Sequence, residues 1–115
     1  MVATRTRSTL DPSTAQTVRE CRRILRRHYG DRLAGVLLYG SMATGRHDAE
    51  SDLDLLVLLS GELDYFAELR TIIRLLRPLQ LETDRLISAR PAAAEEVEQG
   101  ALHFYRNALE EGIRL

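Results

Sequence analysis

The stretch Gly40-Ser41-Met42-Ala43-Thr44-Gly45-Arg46-His47-Asp48-Ala49-Glu50-Ser51-Asp52-Leu53-Asp54, followed at once by the apolar run Leu55 to Leu59, decides how this chain is read. The run from about Asp52 to Leu59 has the length of a buried strand. A second such run, Leu33 to Tyr39, lies just upstream between Gly30-Asp31 and Gly40-Ser41. Small and polar residues fill the interval from Gly40 to Ser51, so a turn, one short helix opening at Ser41 and then a loop are expected there.

Helices are expected on either side. Pro12 and the capping-box spacing Ser13-Thr14-Ala15-Gln16 announce one whose apolar stripe is Val18, Cys21, Leu25 and His28, with Gly30 as its stop. Leu63, Phe66, Leu69, Ile73 and Leu76 predict a second over Glu62 to Arg77, ended by Pro78 because proline disfavours the helical region for its predecessor. The alternation Leu79, Leu81, Thr83 against Gln80, Glu82, Asp84 predicts a third strand leading into Leu86 and Ile87. Pro91 is expected to open a last helix that runs to Gly112, with a short strand over Ile113 to Leu115. Residues 1–115 read as a single domain whose first eleven residues form a flexible tail.

Composition narrows the chemistry. Hydrophobic residues make up 44% and charged residues 29% of the 115, a globular balance. The formal net charge of -1 argues against bulk nucleic-acid binding. Every cationic side chain is arginine, so the lysine of a P-loop is missing and Walker-type hydrolysis is excluded. The lone Cys21 cannot close an intramolecular disulfide, no Cys/His spacing fits zinc, and no stretch approaches the ~20 apolar residues of a membrane span. A cytoplasmic location is the expectation.

Within the central stretch, Gly40 allows a sharp turn with the backbone close to a ligand, and Ser41 offers a hydroxyl and an amide to phosphate oxygens. Taken alone, a Gly-Ser turn is usually only a turn. Asp52 and Asp54 leave the same face of a strand that rises ~3.3 Å per residue, which puts them about 7 Å apart at the α-carbons and able to share cations. Magnesium takes one or two protein carboxylates and completes its shell with water and phosphate oxygens. The plain alternative is a solvated strand start or an Asx turn. Against it stands the cost of acids placed directly before a buried run without a cation.

Two-metal transfer calls for a further carboxylate. Asp84 is favoured, because Leu86 and Ile87 follow it as Leu55 follows Asp54, with Glu82 as the alternative. Either would serve equally as an exposed acid on an edge strand. The arginines of the first helix, His28, His47, His103 and the segment Tyr105 to Asn107 have ordinary explanations as solvated surface, capping or packing.

The spacing Gly40-Ser41, ten residues, then Asp52-Leu53-Asp54 resembles the signature of the DNA-polymerase-beta-like nucleotidyltransferase superfamily, and the small size resembles its minimal branch. That resemblance implies an α/β (α+β) fold with a small mixed sheet of three to four strands covered by helices. It also implies a nucleoside triphosphate donor such as ATP, two magnesium ions, and nucleotidyl transfer to a hydroxyl. On it, Gly40, Ser41 and Arg46 bind nucleotide, and Asp52, Asp54 and Asp84 are catalytic and hold metal. One departure is Thr44, which stands where relatives commonly carry arginine, with Arg46 two residues on as its substitute. Many minimal members pair with a small helical HEPN protein, some as antitoxins that transfer AMP onto a tyrosine of the toxin. A HEPN-type partner or a homo-oligomer is therefore expected to complete the acceptor side. The rival expectation is a partner-binding module of weak or no activity, an antitoxin that acts by docking.

Overall fold

The computed structural model describes residues 10–40 and 52–115 of the chain. Helix α1 covers Pro12–Tyr29, two residues earlier than the capping-box spacing suggests. Proline's fixed φ suits the first helical position, so Pro12 lies inside the helix and the cap falls on Asp11, whose carboxylate accepts from the Thr14 amide at 3.4 Å. Leu10, just outside the helix, is buried in the core. Val18, Cys21 and Leu25 form the buried stripe of α1, and Gly30 ends it at φ +57°. After one tight turn the chain enters β1, Leu33–Tyr39, and later β2, Leu53–Leu59, close to the strands expected from the two apolar runs.

Helix α2 spans Tyr65–Gln80 and is capped by Asp64, which accepts from the Ala67 amide at 3.2 Å. Pro78 does not end it. A proline in the last turn sacrifices only its own amide bond, and the two residues beyond it complete the turn while Leu76 and Leu79 pack against the core. The Leu81 amide then closes the helix on the Arg77 carbonyl at 3.1 Å.

The third strand is accordingly displaced. It begins at Ile87, not near Leu79: β3 is Ile87–Ala93, and residues 81–86 form a turn. The Gln80 side chain fastens that turn, donating to the Arg85 carbonyl at 2.8 Å and accepting from the Ile87 amide at 2.7 Å. What reads as alternation at 79–84 is a helix end followed by a reversal. Pro91 lies within β3, where an outer strand tolerates the missing donor, and the last helix divides into α3, Ala94–Glu98, and α4, His103–Glu111. Strand β4, Ile113–Arg114, closes the chain, as expected.

The four strands form one mixed sheet in the order β3-β2-β1-β4. Strand β1 runs antiparallel to both β2 and β4, while β2 and β3 are parallel. Alternation divides β2 cleanly. Leu53, Leu55, Val57 and Leu59 join the α1/α2 core, whereas Leu56 and Leu58 join a second cluster under α3 and α4 with Leu37 and Tyr39. The two helical layers differ in charge. Helices α1 and α2 carry eight arginines against Glu20 and Glu68, a net of +6, and α3 and α4 carry five glutamates against Arg106, a net of -4.

Candidate active site

The end of β1 and the start of β2 meet at one edge of the molecule, because the antiparallel register places Tyr39 opposite Asp54. On the other flank of β2 the parallel register places Ser88 opposite Asp54. Asp54 shares its face of the sheet with Leu56 and Leu58, the face covered farther along by α3 and α4. Asp52 is exposed and Asp54 half-buried.

Burial pushes the Asp54 carboxyl above the usual carboxylate range, the Asp52 charge pushes it further, and the Arg90 guanidinium opposes both. The Asp52 charge makes the ionised form of Asp54 costlier, and a hard divalent cation seated between these two oxygen-donor carboxylates would relieve that repulsion. Gly40 shows how closely the corner is built. At φ +75° it adopts a conformation that side chains avoid, and a β-carbon there would lie 2.5 Å from Asp54 Oδ2. Gly40 thus lies directly against the carboxylate.

Ser41 and Arg46, with Thr44 and His47, lie outside the described residues. Glu82 and Asp84 lie in the turn after α2, and together with Asp11, Thr14, Thr17 and Arg85 they border a polar cavity of about 310 Å³. That turn sits at the same end of the sheet as Asp52, since the Leu53 amide bonds the Leu86 carbonyl at 2.9 Å. The structure brings Asp52 and Asp54 together beside Gly40, but β3 presents Ser88 and Arg90 to that face, not an acid. Among the described residues no three His, Cys, Asp or Glu side chains converge as a metal cluster.

A model of the nucleotidyltransferase domain family matches residues 18–115. The chain belongs to this family. It is also similar to two proteins of Methanocaldococcus jannaschii. The one named "Putative protein adenylyltransferase MJ0604" is 28% identical over 97 residues, covering 84% of this chain and 92% of the relative. The one named "Putative protein adenylyltransferase MJ0141" is 41% identical over 58 residues, covering 50% of this chain and 58% of the relative. The mixed sheet with its helical cover agrees with the polymerase-beta-like nucleotidyltransferase fold, and the protein is a transferase of that family.

Sequence reasoning overlooked a cluster beside the carboxylates of this nucleotidyltransferase. Arg90 Nη2 donates to the Tyr39 hydroxyl at 2.6 Å, and its guanidinium lies 6.0 Å from the Tyr39 ring centre and 5.6 Å from that of Phe104. Tyr39 and Phe104 meet edge to face at 5.3 Å. The available signal was a charged residue within the otherwise small and apolar Ile87-Ser88-Ala89-Arg90-Pro91-Ala92-Ala93. Cys21, by contrast, is fully buried with its thiol pushed up to about 12 by desolvation, which removes it as a nucleophile.

Proposed function

We propose that this nucleotidyltransferase is a magnesium-dependent adenylyltransferase that moves AMP from ATP to a hydroxyl of a partner protein, in the cytoplasm. The observation that carries the proposal is the pairing of Asp52 and Asp54 at the head of β2, with the Gly40 turn lying against Asp54. The names of the two archaeal relatives support adenylyl transfer to protein in the same direction.

In this reading Asp52 and Asp54 hold the cation, and Asp84, or alternatively Glu82, is the third carboxylate, which has to move in from the neighbouring turn because it does not converge with them among the described residues. Gly40, Ser41 and Arg46 hold the triphosphate. Magnesium, when bound, neutralises phosphate charge and favours pyrophosphate as a leaving group. The acceptor oxygen bonds the α-phosphorus, the bond from that phosphorus to the bridging oxygen breaks, and the hydroxyl proton passes to the third carboxylate. The chain's own contribution is alignment, which converts a bimolecular encounter into a reaction within one complex. The acceptor side is supplied by a small helical HEPN-type protein encoded nearby, for which this chain would act as antitoxin, or by a second copy.

One observation favours a rival. The strand position opposite Asp54 is Ser88, not an acid, and a site short of its third carboxylate would leave neutralisation to docking. Incubation of the purified protein, magnesium, α-phosphate-labelled ATP and the co-encoded partner separates the two. Label is expected on the partner, and the double variant Asp52→Asn, Asp54→Asn is expected to transfer none. Full neutralisation by that variant, together with no label from the wild type, would establish docking instead.

A further inference from the structure

The Arg90 cluster has no part in the proposal above. Arg90 projects from β3 on the face that carries Asp54, two residues beyond the register partner of Asp54. The two charges are near enough to influence one another, yet they form no ion pair among the described contacts. The guanidinium is instead held from the side. One nitrogen is engaged by the Tyr39 hydroxyl, the rings of Tyr39 and Phe104 flank it, and its other nitrogens make no hydrogen bond among the described residues. Two separate elements, β1 and α4, therefore supply side chains that orient a cation carried by a third, β3.

A purely structural arginine would be expected to pair with a carboxylate within reach. This one is oriented by a neutral hydroxyl and two aromatic faces, which fix its direction and leave its charge and most of its donors unspent. A planar, immobilised guanidinium beside paired carboxylates matches an anionic ligand whose phosphate oxygens extend past the metal-holding acids.

We infer that Arg90, aimed by Tyr39 and Phe104, binds a phosphate oxygen of the nucleoside triphosphate. This inference rests on the nucleotide reading above. It makes Arg90 a binding residue and makes Tyr39 and Phe104 positioning residues. It also supplies from β3 a cation that the family's motif arginine, replaced here by Thr44, does not provide.

Calorimetric titration of the full chain with magnesium-ATP and, separately, with adenosine tests it. Arg90→Gln is expected to weaken magnesium-ATP about tenfold or more, the worth of one charge-assisted contact, and to leave adenosine within twofold. Arg90→Lys should recover part of the loss, and Tyr39→Phe should fall between wild type and Arg90→Gln while melting near the wild-type temperature. If Arg90→Gln does not fold, Tyr39→Phe carries the test by the same ratio of the two ligands. Equal binding of magnesium-ATP by wild type and variants overturns the inference and leaves the nucleotide reading intact, as does a matched loss for both ligands. A wild type that binds no magnesium-ATP overturns the nucleotide reading and this inference with it.

Discussion

Replacing Gly40 by alanine probes the corner over Asp54, and Gly30 supplies the control. Both glycines have positive φ, at +75° and +57°. A β-carbon on Gly30 meets nothing within 4 Å, whereas one on Gly40 meets Asp54 Oδ2 at 2.5 Å. Each alanine bears the cost of a positive φ that side chains avoid, on the order of 1–3 kcal/mol, at roughly 4–8 °C of melting temperature per kcal/mol for a domain this size. Only Gly40→Ala must also restore ordinary contact near 3.4 Å, a displacement of about 0.9 Å between the turn and the carboxylate. Misplacing an aligning group by about 1 Å costs on the order of a hundredfold in rate. Label transfer per folded molecule, corrected by the melting curve, should therefore fall about a hundredfold in Gly40→Ala and stay near wild type in Gly30→Ala. Equal activities in the two variants would refute the claim that the turn positions Asp54.

Gln80→Ala removes both side-chain bonds that fasten the turn before β3, and urea denaturation should show a loss of about 1–3 kcal/mol; an unchanged midpoint would mean that backbone contacts alone set where β3 begins. Tyr29 donates to Glu68 at 3.0 Å, and burial, reinforced by the Glu68 carboxylate, raises its hydroxyl above the ordinary tyrosine range. A group held protonated in the fold contributes stability that is complete below its unfolded value, about pH 10, and is lost as pH rises beyond it. With no lysine in the chain to titrate there, Tyr29→Phe should visibly shallow the alkaline decline of the urea midpoint, and an identical slope would refute the assignment.

The two apolar runs and the amphipathic stripe of α1 were legible because periodicity and burial agree there, whereas the stripe of α2 was misplaced: Ile72 and Leu76 are its buried residues, and Phe66 and Ile73 are exposed. Gly30 and Gly112 were equally legible as helix stops. The third strand was misread because Leu79 and Gln80 serve a helix end, and the Gln80 side chain that closes the turn joins residues a linear pattern treats as separate. Pro78 and Pro91 misled for a related reason. Proline signals a local restriction, while its tolerance depends on being in a last turn or on an outer strand, and both are facts of topology. Of the site, Asp52 and Asp54 follow from a spacing of two along a strand. Arg90, Tyr39 and Phe104 come from β3, β1 and α4, so only the assembled sheet reveals that they meet.

The helices on the two sides of the sheet carry opposite net charge, moderated at the ends of α1 and α2 by Asp11, Asp31, Glu62, Asp64, Glu82 and Asp84, and this nearly neutral molecule keeps a charge asymmetry across the plane of its sheet. Its pI near 6.3 conceals that asymmetry. At low ionic strength the protein should adhere to both anion- and cation-exchange resins near neutral pH, presenting a different side to each, and any charged macromolecule approaching it will be turned before contact.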